Sequence, residues 1–426
     1  MEGDNDVKPT KNIDETLVIQ HDWHLGLREP ISQFFLGIRR SGAARTEYFD
    51  VQITKLVDEY GFAVMPGEGS IKSTDFEDVS LDMLKNLHVT FQGKTTIFVA
   101  PISEQKIEGL KSAPRCFDVS CTGSTYVTAD SSGNLVIASA MKAETLRILK
   151  GHAMDVYRCM YFPSGLVVLT CGMDMTIRIW AIDTGDCART LKGHIQPVTG
   201  IGIIGVGREV LSCSKDGSAR KWNCGSAETV EVWNFEKGAC VDLAVSVDSS
   251  RFAVICVNNH LSVIDLNGEK VCVLQFFHEK IYIYQIRRDI QLPSEPNTLC
   301  FSDDEAGEVV FVGFEDGHVA AYNVVQQSLI GEIVTQKGSV NCLKFFCNRL
   351  IVAFNNGGVL AYPIPRSSAN QASGDSTVDA VNIISAEYEL TGADSDPIYD
   401  MAIHGRSVYT VCRDGFVRMY KLLWNA

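Results

Sequence analysis

The chain has 426 residues, of which 46% are hydrophobic and 21% charged, and 38 basic against 52 acidic residues give a net charge of −14. This is a globular composition, too apolar for a disordered chain, and no stretch reaches the ~18 consecutive apolar residues of a membrane span. The acidic balance argues against nucleic-acid phosphate or anionic lipid as the main partner, because the average surface would repel either.

The opening MEGDNDVKPT has neither the basic nor the apolar region of a secretory signal, so none is expected. Residues 1–12 read as a disordered tail by composition, and residues 13–103 as a small α+β or all-β appendage. Within the appendage EYFDVQITKLV (47–57) and KTTIFVAP (94–101) are strand-like, and DMLKNL (82–87) is predicted to form a short helix. Residues 1–110 carry 18 acidic and 11 basic side chains, half of the total excess charge. Solubility alone explains such a bias, and a partner-facing acidic surface is the alternative.

Beyond residue 104 the chain repeats. GHAMDVYRCMYFPSGLVVLTCGMDMTIRIW (151–180) and GHIQPVTGIGIIGVGREVLSCSKDGSARKW (193–222) superimpose at an offset of 42 residues. Gly-His early, then Asp, then Trp at this period is the WD-repeat signature, with four strands per β-propeller blade. A tight turn leading into an alternating strand recurs seven times: GNLVIA (133–138), MTIRIW (175–180), GSARKW (217–222), HLSVID (260–265), GHVAAY (317–322), GGVLAY (357–362) and GFVRMY (415–420). The two longest steps imply insertions near 276–296 and 363–387, and the second, rich in Ser, Ala, Asp and Pro, reads as a mobile loop. The fold expected for 104–426 is therefore an all-β, seven-bladed WD-repeat propeller. After Tyr420 too little chain remains for a fourth strand, so EQKIEGLK (104–111) is expected to close the last blade and remove its open edge.

In such repeats a histidine, a strand Ser/Thr, the turn Asp and the Trp indole form one hydrogen-bonded relay. The members depend on one another, because a buried carboxylate without donors costs several kcal/mol, roughly. Here the relays are His152–Thr170–Asp174–Trp180 and His194–Ser212–Asp216–Trp222. The last blade keeps Thr410, Asp414 and Tyr420, the fifth keeps Asp316 and Tyr322, and the fourth almost nothing.

Catalytic signals are weak. GIGIIG (200–205) matches a dinucleotide turn but falls inside a strand of the third blade, where a strand-to-helix turn would be needed. His152, Asp174 and Thr170 resemble a hydrolase triad, yet they recur 42 residues later as a structural unit would. No P-loop, nucleophile elbow or H-E-x-x-H occurs. The 14 cysteines form no C-x-x-C pair and mostly lie in apolar runs, so they read as free thiols in a reducing compartment, with no metal site. The expectation is a protein that is no enzyme and needs no cofactor.

FPSGLVVLTCGMDMTIRIW (162–180), ELTGADSDPIYDMA (389–402) with YTVCRDGFVRMYKL (409–422), and LVIQHDW (17–23) resemble the proteasomal ATPase-associated factors, a family of WD-repeat chaperones of the proteasome regulatory particle. The match covers both ends and the best blades, and is poor through 225–300 and in much of 30–100. The resemblance implies a non-catalytic assembly chaperone. It would bind the C-terminal domain of a proteasomal ATPase subunit of the regulatory particle base and delay docking on the proteolytic core. On that reading the contact candidates are Asp155, Tyr157, Glu315, Asp394, Asp396, Tyr399, Asp400 and Arg413, placed by register on the end that carries the Asp-turns, where aromatic and charged loop residues make plausible anchors. Solvated loop charges, and tyrosines packed around the channel, are the plain alternatives. Two further classes of role stay open: a scaffold or substrate receptor of a ubiquitin ligase, although the W-D-x-R box is missing, and an acidic chaperone for a basic protein such as a histone or ribosomal protein. A monomer is expected, in the cytoplasm, with the nucleus as an added compartment.

Overall fold

The computed structural model describes residues 15–26, 31–40, 45–54, 56–57, 63–65, 69–71, 76–82, 84–142, 144–236, 238–267, 287–303, 307–335, 337–364, 385–393 and 395–422. The expected disordered tail, 1–12, lies outside them. The chain divides into two compact units, Met1–Ala100 and Pro101–Ala426.

The first unit is β-rich. Glu15–Ile19, Ile31–Arg40, Glu47–Thr54 and Gly69–Ile71 form one antiparallel sheet, and Phe76–Leu81, Leu87–Phe91 and Lys94–Val99 form a meander. Trp23, Phe34, Leu36, Ile38, Val79, Leu87, Val89 and Phe98 belong to its core. The helix expected at 82–87 is not there. The Asp82 carboxylate accepts the backbone N–H groups of Leu84 and Asn86, both at 2.8 Å, and Lys85 has φ 65°. An aspartate that captures nearby amides builds a turn in competition with a helix. Among the described residues the helical turn that does form is Trp23–Gly26.

The second unit is a seven-bladed β-propeller. Its first blade runs Pro114–Val119, Thr125–Asp130, Asn134–Ser139, Thr145–Lys150, and the second Val156–Tyr161, Val167–Gly172, Thr176–Ala181, Cys187–Lys192. The third is Val198–Ile204, Glu209–Ser214, Ser218–Asn223, Thr229–Asn234, and the fourth Cys240–Val245, Arg251–Cys256, His260–Asp265, Arg287–Gln291. The fifth comprises Pro296–Phe301, Val309–Phe314, Val319–Asn323 and Ser328–Ile333, and the sixth Val340–Phe346, Arg349–Phe354, Val359–Pro363 and Tyr388–Leu390. The seventh takes Ile398–His404, Ser407–Cys412 and Phe416–Lys421 from the end of the chain and Ser103–Lys106 from ahead of the first blade.

The first strand of each blade lies against the first strand of the next, and the seventh against the first, so the ring is closed around an axis. Each blade is buried on both faces, which is why its middle strands are apolar at successive positions: Leu135, Val136 and Ile137 in the first blade and Leu350, Ile351 and Val352 in the sixth are all fully buried. Closure uses antiparallel pairing of Glu104 with Arg418 and Lys106 with Phe416, and an ion pair from Arg418 Nε to Glu104 at 2.7 Å.

The insertion expected near 276–296 contains an element of the fold: Arg287–Gln291 is the outer strand of the fourth blade, and 276–286 lies outside the described residues. Of the loop expected at 363–387, residues 365–384 lie outside the described residues, Pro363 ends a strand, and Glu387 is held by Arg349 at 2.9 Å.

Candidate functional site

The relay side chains stand in one chain in each of two blades. His152 Nδ1 lies 2.9 Å from Asp174 Oδ2 and Nε2 lies 2.7 Å from Thr170 Oγ1, while Trp180 Nε1–H donates to the same hydroxyl at 2.8 Å. His194, Asp216, Ser212 and Trp222 repeat this with all three distances at 2.8 Å. Thr170 accepts from the indole, so its own proton goes to Nε2, and Nδ1–H donates to the carboxylate. Asp174 also accepts Ala153 N–H, Thr176 N–H and the Thr176 hydroxyl. Burial alone would raise the Asp174 and Asp216 pKa values, but their hydrogen bonds and histidine neighbours outweigh it and hold both below the ordinary 3.8. Burial of His194 pushes its pKa below 6.5 against the pull of Asp216. Thr170 and Ser212 are fully buried, with no route for a substrate, which leaves the triad-like pattern without a nucleophile.

Elsewhere the relay is rebuilt from other groups. In the seventh blade Gly392 stands at the histidine position. Asp414 is paired with Arg418 at 2.6 Å, and the Tyr420 hydroxyl donates to Thr391 O at 2.7 Å. Buried Thr410 therefore has no histidine to bridge, and the seventh blade holds no His–Thr–Asp chain. In the first blade Asp130 accepts the amides of Lys111, Ser132 and Asn134 at 2.7, 2.9 and 3.0 Å. In the fifth, Asp316 pairs with His318 from its own turn, and His318 stacks on Phe314.

The contact candidates separate. Tyr157 and Tyr399 come from the first strands of the second and seventh blades, at equivalent positions where the axis opens on the Asp-turn end, and the Arg115 guanidinium lies 5.1 Å from the Tyr399 ring. Burial, with help from Asp155, raises the Tyr157 pKa. Asp396 is ion-paired with Arg413 at 2.8 Å, and the Arg413 side chain is 60% exposed. Glu315 is exposed, and Asp155 is half-buried with its carbonyl accepting Met173 N–H. These six residues lie on or beside that end. Asp394 lies outside the described residues.

Asp400 does not belong with them. It is buried, accepts Phe117 N–H of the first blade at 3.0 Å and Met401 N–H at 2.9 Å, and lies 3.2 Å from Cys342 Sγ. One residue along a strand is a change of face, so Tyr399 meets the mouth while Asp400 turns inward and joins the two blades where the ring closes.

Asp400 belongs to a set of axial charges whose inward role sequence reasoning missed. Asp118 accepts Tyr161 N–H of the second blade at 2.7 Å, and Arg158 pairs across to Asp242 at 3.1 Å, which also accepts the Thr298 hydroxyl. Burial raises the Asp118 pKa to about 6, with Lys344 opposing. Burial disfavours the Lys344 ammonium, but Cys342, Asp400 and Asp118 prevail and raise its pKa. The available signal was a charge at one repeat position of otherwise apolar first strands: Arg158, Asp242 and Asp400 all occupy it. GIGIIG also finds its role here. A Cβ on Gly200 would sit 2.8 Å from Leu243 N and one on Gly202 2.4 Å from Val245 Cγ2, so these glycines let the fourth blade approach.

Among the described residues no group of three His, Cys, Asp or Glu side chains could hold a metal, and their cysteines are all free. Burial pushes the Cys213, Cys300 and Cys342 thiols well up, which makes them poor nucleophiles. No helix of the described residues is long and apolar enough to cross a membrane.

Comparison with known proteins matches the WD domain, G-beta repeat, to residues 143–181 and 185–223. The chain is 30% identical over 151 residues to proteasomal ATPase-associated factor 1 of Gallus gallus, covering 35% of this chain and 37% of that protein. It is 27% identical over 157 residues to the Homo sapiens protein of that name, covering 35% and 36%. It is 24% identical over 158 residues to the probable counterpart of Dictyostelium discoideum, covering 36% and 34%. The chain thus spans about a third of the length of these relatives. It carries WD40 repeats and is a distant homologue of proteasomal ATPase-associated factor 1.

Proposed function

We propose that this protein is a non-catalytic assembly chaperone of the proteasome regulatory particle base. It binds the C-terminal domain of a proteasomal ATPase subunit and delays docking of that subunit on the proteolytic core. The observation that carries the reading is the similarity to relatives whose name associates them with a proteasomal ATPase. The closed ring supports it mechanically: a rigid body can block a larger partner by volume alone, with no bond made or broken. The binding end assigned here is the Asp-turn end, with Tyr157, Tyr399, Asp155, Glu315, Asp396 and Arg413 as contacts and the relays of the second and third blades as its support. Tyrosines at the mouth supply rigid, amphipathic anchors, and the net charge of −14 favours encounter with a basic domain.

Affinity purification of the tagged protein from growing cells, read by mass spectrometry, tests the class of role. Regulatory-particle ATPases free of the proteolytic core are expected. A cullin adaptor would replace the reading with a ubiquitin-ligase scaffold, and histones or ribosomal proteins would replace it with an acidic chaperone for a basic protein.

A further inference from the structure

The first strand of every blade carries one extra residue at the same place. The register slips around Arg115 in the first blade, and likewise around Tyr157, Thr199, Val241, Asn297, Asn341 and Tyr399 in the second to seventh. A bulge re-aims a side chain, and these seven equivalent residues form one ring where the axis opens on the Asp-turn end. Part of the ring is spent on joining blades. The Thr199 hydroxyl donates to Cys240 O at 3.0 Å, Asn297 Nδ2 to Ser339 Oγ at 2.8 Å and Asn341 Nδ2 to Ile398 O at 2.9 Å, each bridging toward the next blade. Val241 has no polar end.

The other three belong to consecutive blades: Tyr399 to the seventh, Arg115 to the first and Tyr157 to the second. Their side chains make no hydrogen bond or ion pair among the described residues. Arg115 is exposed and both tyrosines are half-buried. The Arg115 guanidinium lies 5.1 Å from the Tyr399 ring, and its charge also reaches Tyr157, where it opposes the rise in pKa caused by burial and Asp155. A guanidinium laid on a ring uses its face and keeps the N–H donors of its edge free. The two phenol hydroxyls add further donors. Three neighbouring donor groups with no acceptor among the described residues suit an anion.

We propose that Arg115, flanked by Tyr157 and Tyr399, is a receptor for a carboxylate of a protein ligand. The planar guanidinium fork matches a carboxylate, which takes two parallel N–H bonds. A phosphate monoester would bring nearly two negative charges to a chain of net charge −14 with Asp155 at the same mouth, and the single charge of a carboxylate is opposed less. The tyrosine rings offer apolar surface to the residue that carries the carboxylate. The site lies at the end assigned to the ATPase, but its chemistry depends on Arg115 and not on which protein binds.

Surface plasmon resonance with the immobilised full chain tests this, using Gly/Ser peptides of about ten residues. Three are acetylated and amidated, with a central Phe-Glu-Phe, Phe-Gln-Phe or Phe-phosphoserine-Phe. The fourth has Phe-Gln-Phe at its end with a free C-terminal carboxylate. The Glu peptide, the free-acid peptide or both should bind at least about five-fold more tightly than the Gln amide, and which of them does so tells an acidic side chain from a chain end. R115Q should remove the preference with an unchanged melt. R406Q, an exposed arginine in the hairpin between the first and second strands of the seventh blade, should keep it. Should R115Q melt early, Y157F/Y399F keeps both rings, removes both hydroxyls and is expected to weaken carboxylate binding by about three-fold or more. The proposal would be overturned by equal binding of the Gln amide and both carboxylate peptides, by a preference that survives R115Q, by tighter binding of the phosphoserine peptide than of either carboxylate, or, in the second arm, by undiminished binding.

Discussion

At Thr170 one hydroxyl serves two partners: it accepts the indole proton of Trp180 and passes its own to His152, which fixes the tautomer that Asp174 receives. Removing a member leaves buried polar atoms facing one another. Trp180→Ala is expected to cost about 3–5 kcal/mol, as for other large buried aromatics. Trp180→Phe keeps most of the ring but orphans the hydroxyl, and about 1–3 kcal/mol is expected. Denaturant unfolding of both variants checks the order, and an unchanged stability of Trp180→Phe would mean that the indole hydrogen bond contributes nothing. Met175 makes the opposite case. It has φ 62° at the turn position where five blades place glycine, such as Gly133 at φ 80° and Gly217 at φ 77°. Met175→Gly should therefore stabilise by about 1 kcal/mol, and a lower melting temperature would contradict that. The titrating residues pull in different directions. His194, Asp174 and Asp216 have depressed pKa values, so their stabilisation is present above 6.5 and 3.8 respectively and is lost on acidification below those values. Asp118, raised to about 6, acts in reverse: its contribution is full below 3.8 and is lost as pH rises through 6. Melts of the wild type and Asp118→Asn from pH 4 to 8 should show the wild type gaining on the variant as pH falls through 6. A constant difference would deny Asp118 the role.

Among the elements, the third strand of each blade was the most legible in the sequence. Its turn needs an Asp, Asn or Gly and its body alternates, so MTIRIW and GFVRMY announce themselves where first strands do not. The relays of the second and third blades were readable because all four members carry chemistry at fixed spacing. The axial charges were not: spacing places Tyr399 and Asp400 side by side, and only the inward face of a first strand, set by the whole ring, separates a mouth residue from a buried one. Arg287–Gln291 was hidden for a different reason, a long step in the repeat that detaches an outer strand from its turn. DMLKNL misled because Asp82 competes for the amides a helix would use. The closing strand yields its own prediction. A chain beginning at residue 108 lacks Ser103–Lys106 and leaves Phe416–Lys421 as an open edge. It should melt about 5 °C or more below a chain beginning at 101 and self-associate. Identical melts would show that closure needs no borrowed strand.

For the molecule as a whole, the proposed role draws on the rigidity and area of the closed ring. Tyr157, Tyr399 and the Asp396–Arg413 ion pair lie at the Asp-turn end. Asp400 has no place in a test of the binding end, since a lysine there would be a buried cation beside Arg158 and Lys344 and would threaten the fold. The most direct measurement is titration of the purified C-terminal domain of each proteasomal ATPase subunit against the wild type and against Y157A/Y399A/D396K, with melts run in parallel. One domain should bind the wild type at one-to-one stoichiometry, and the variant should bind it at least about ten-fold more weakly while melting normally. Absence of binding by every ATPase domain, or equal binding by the variant, would contradict the account.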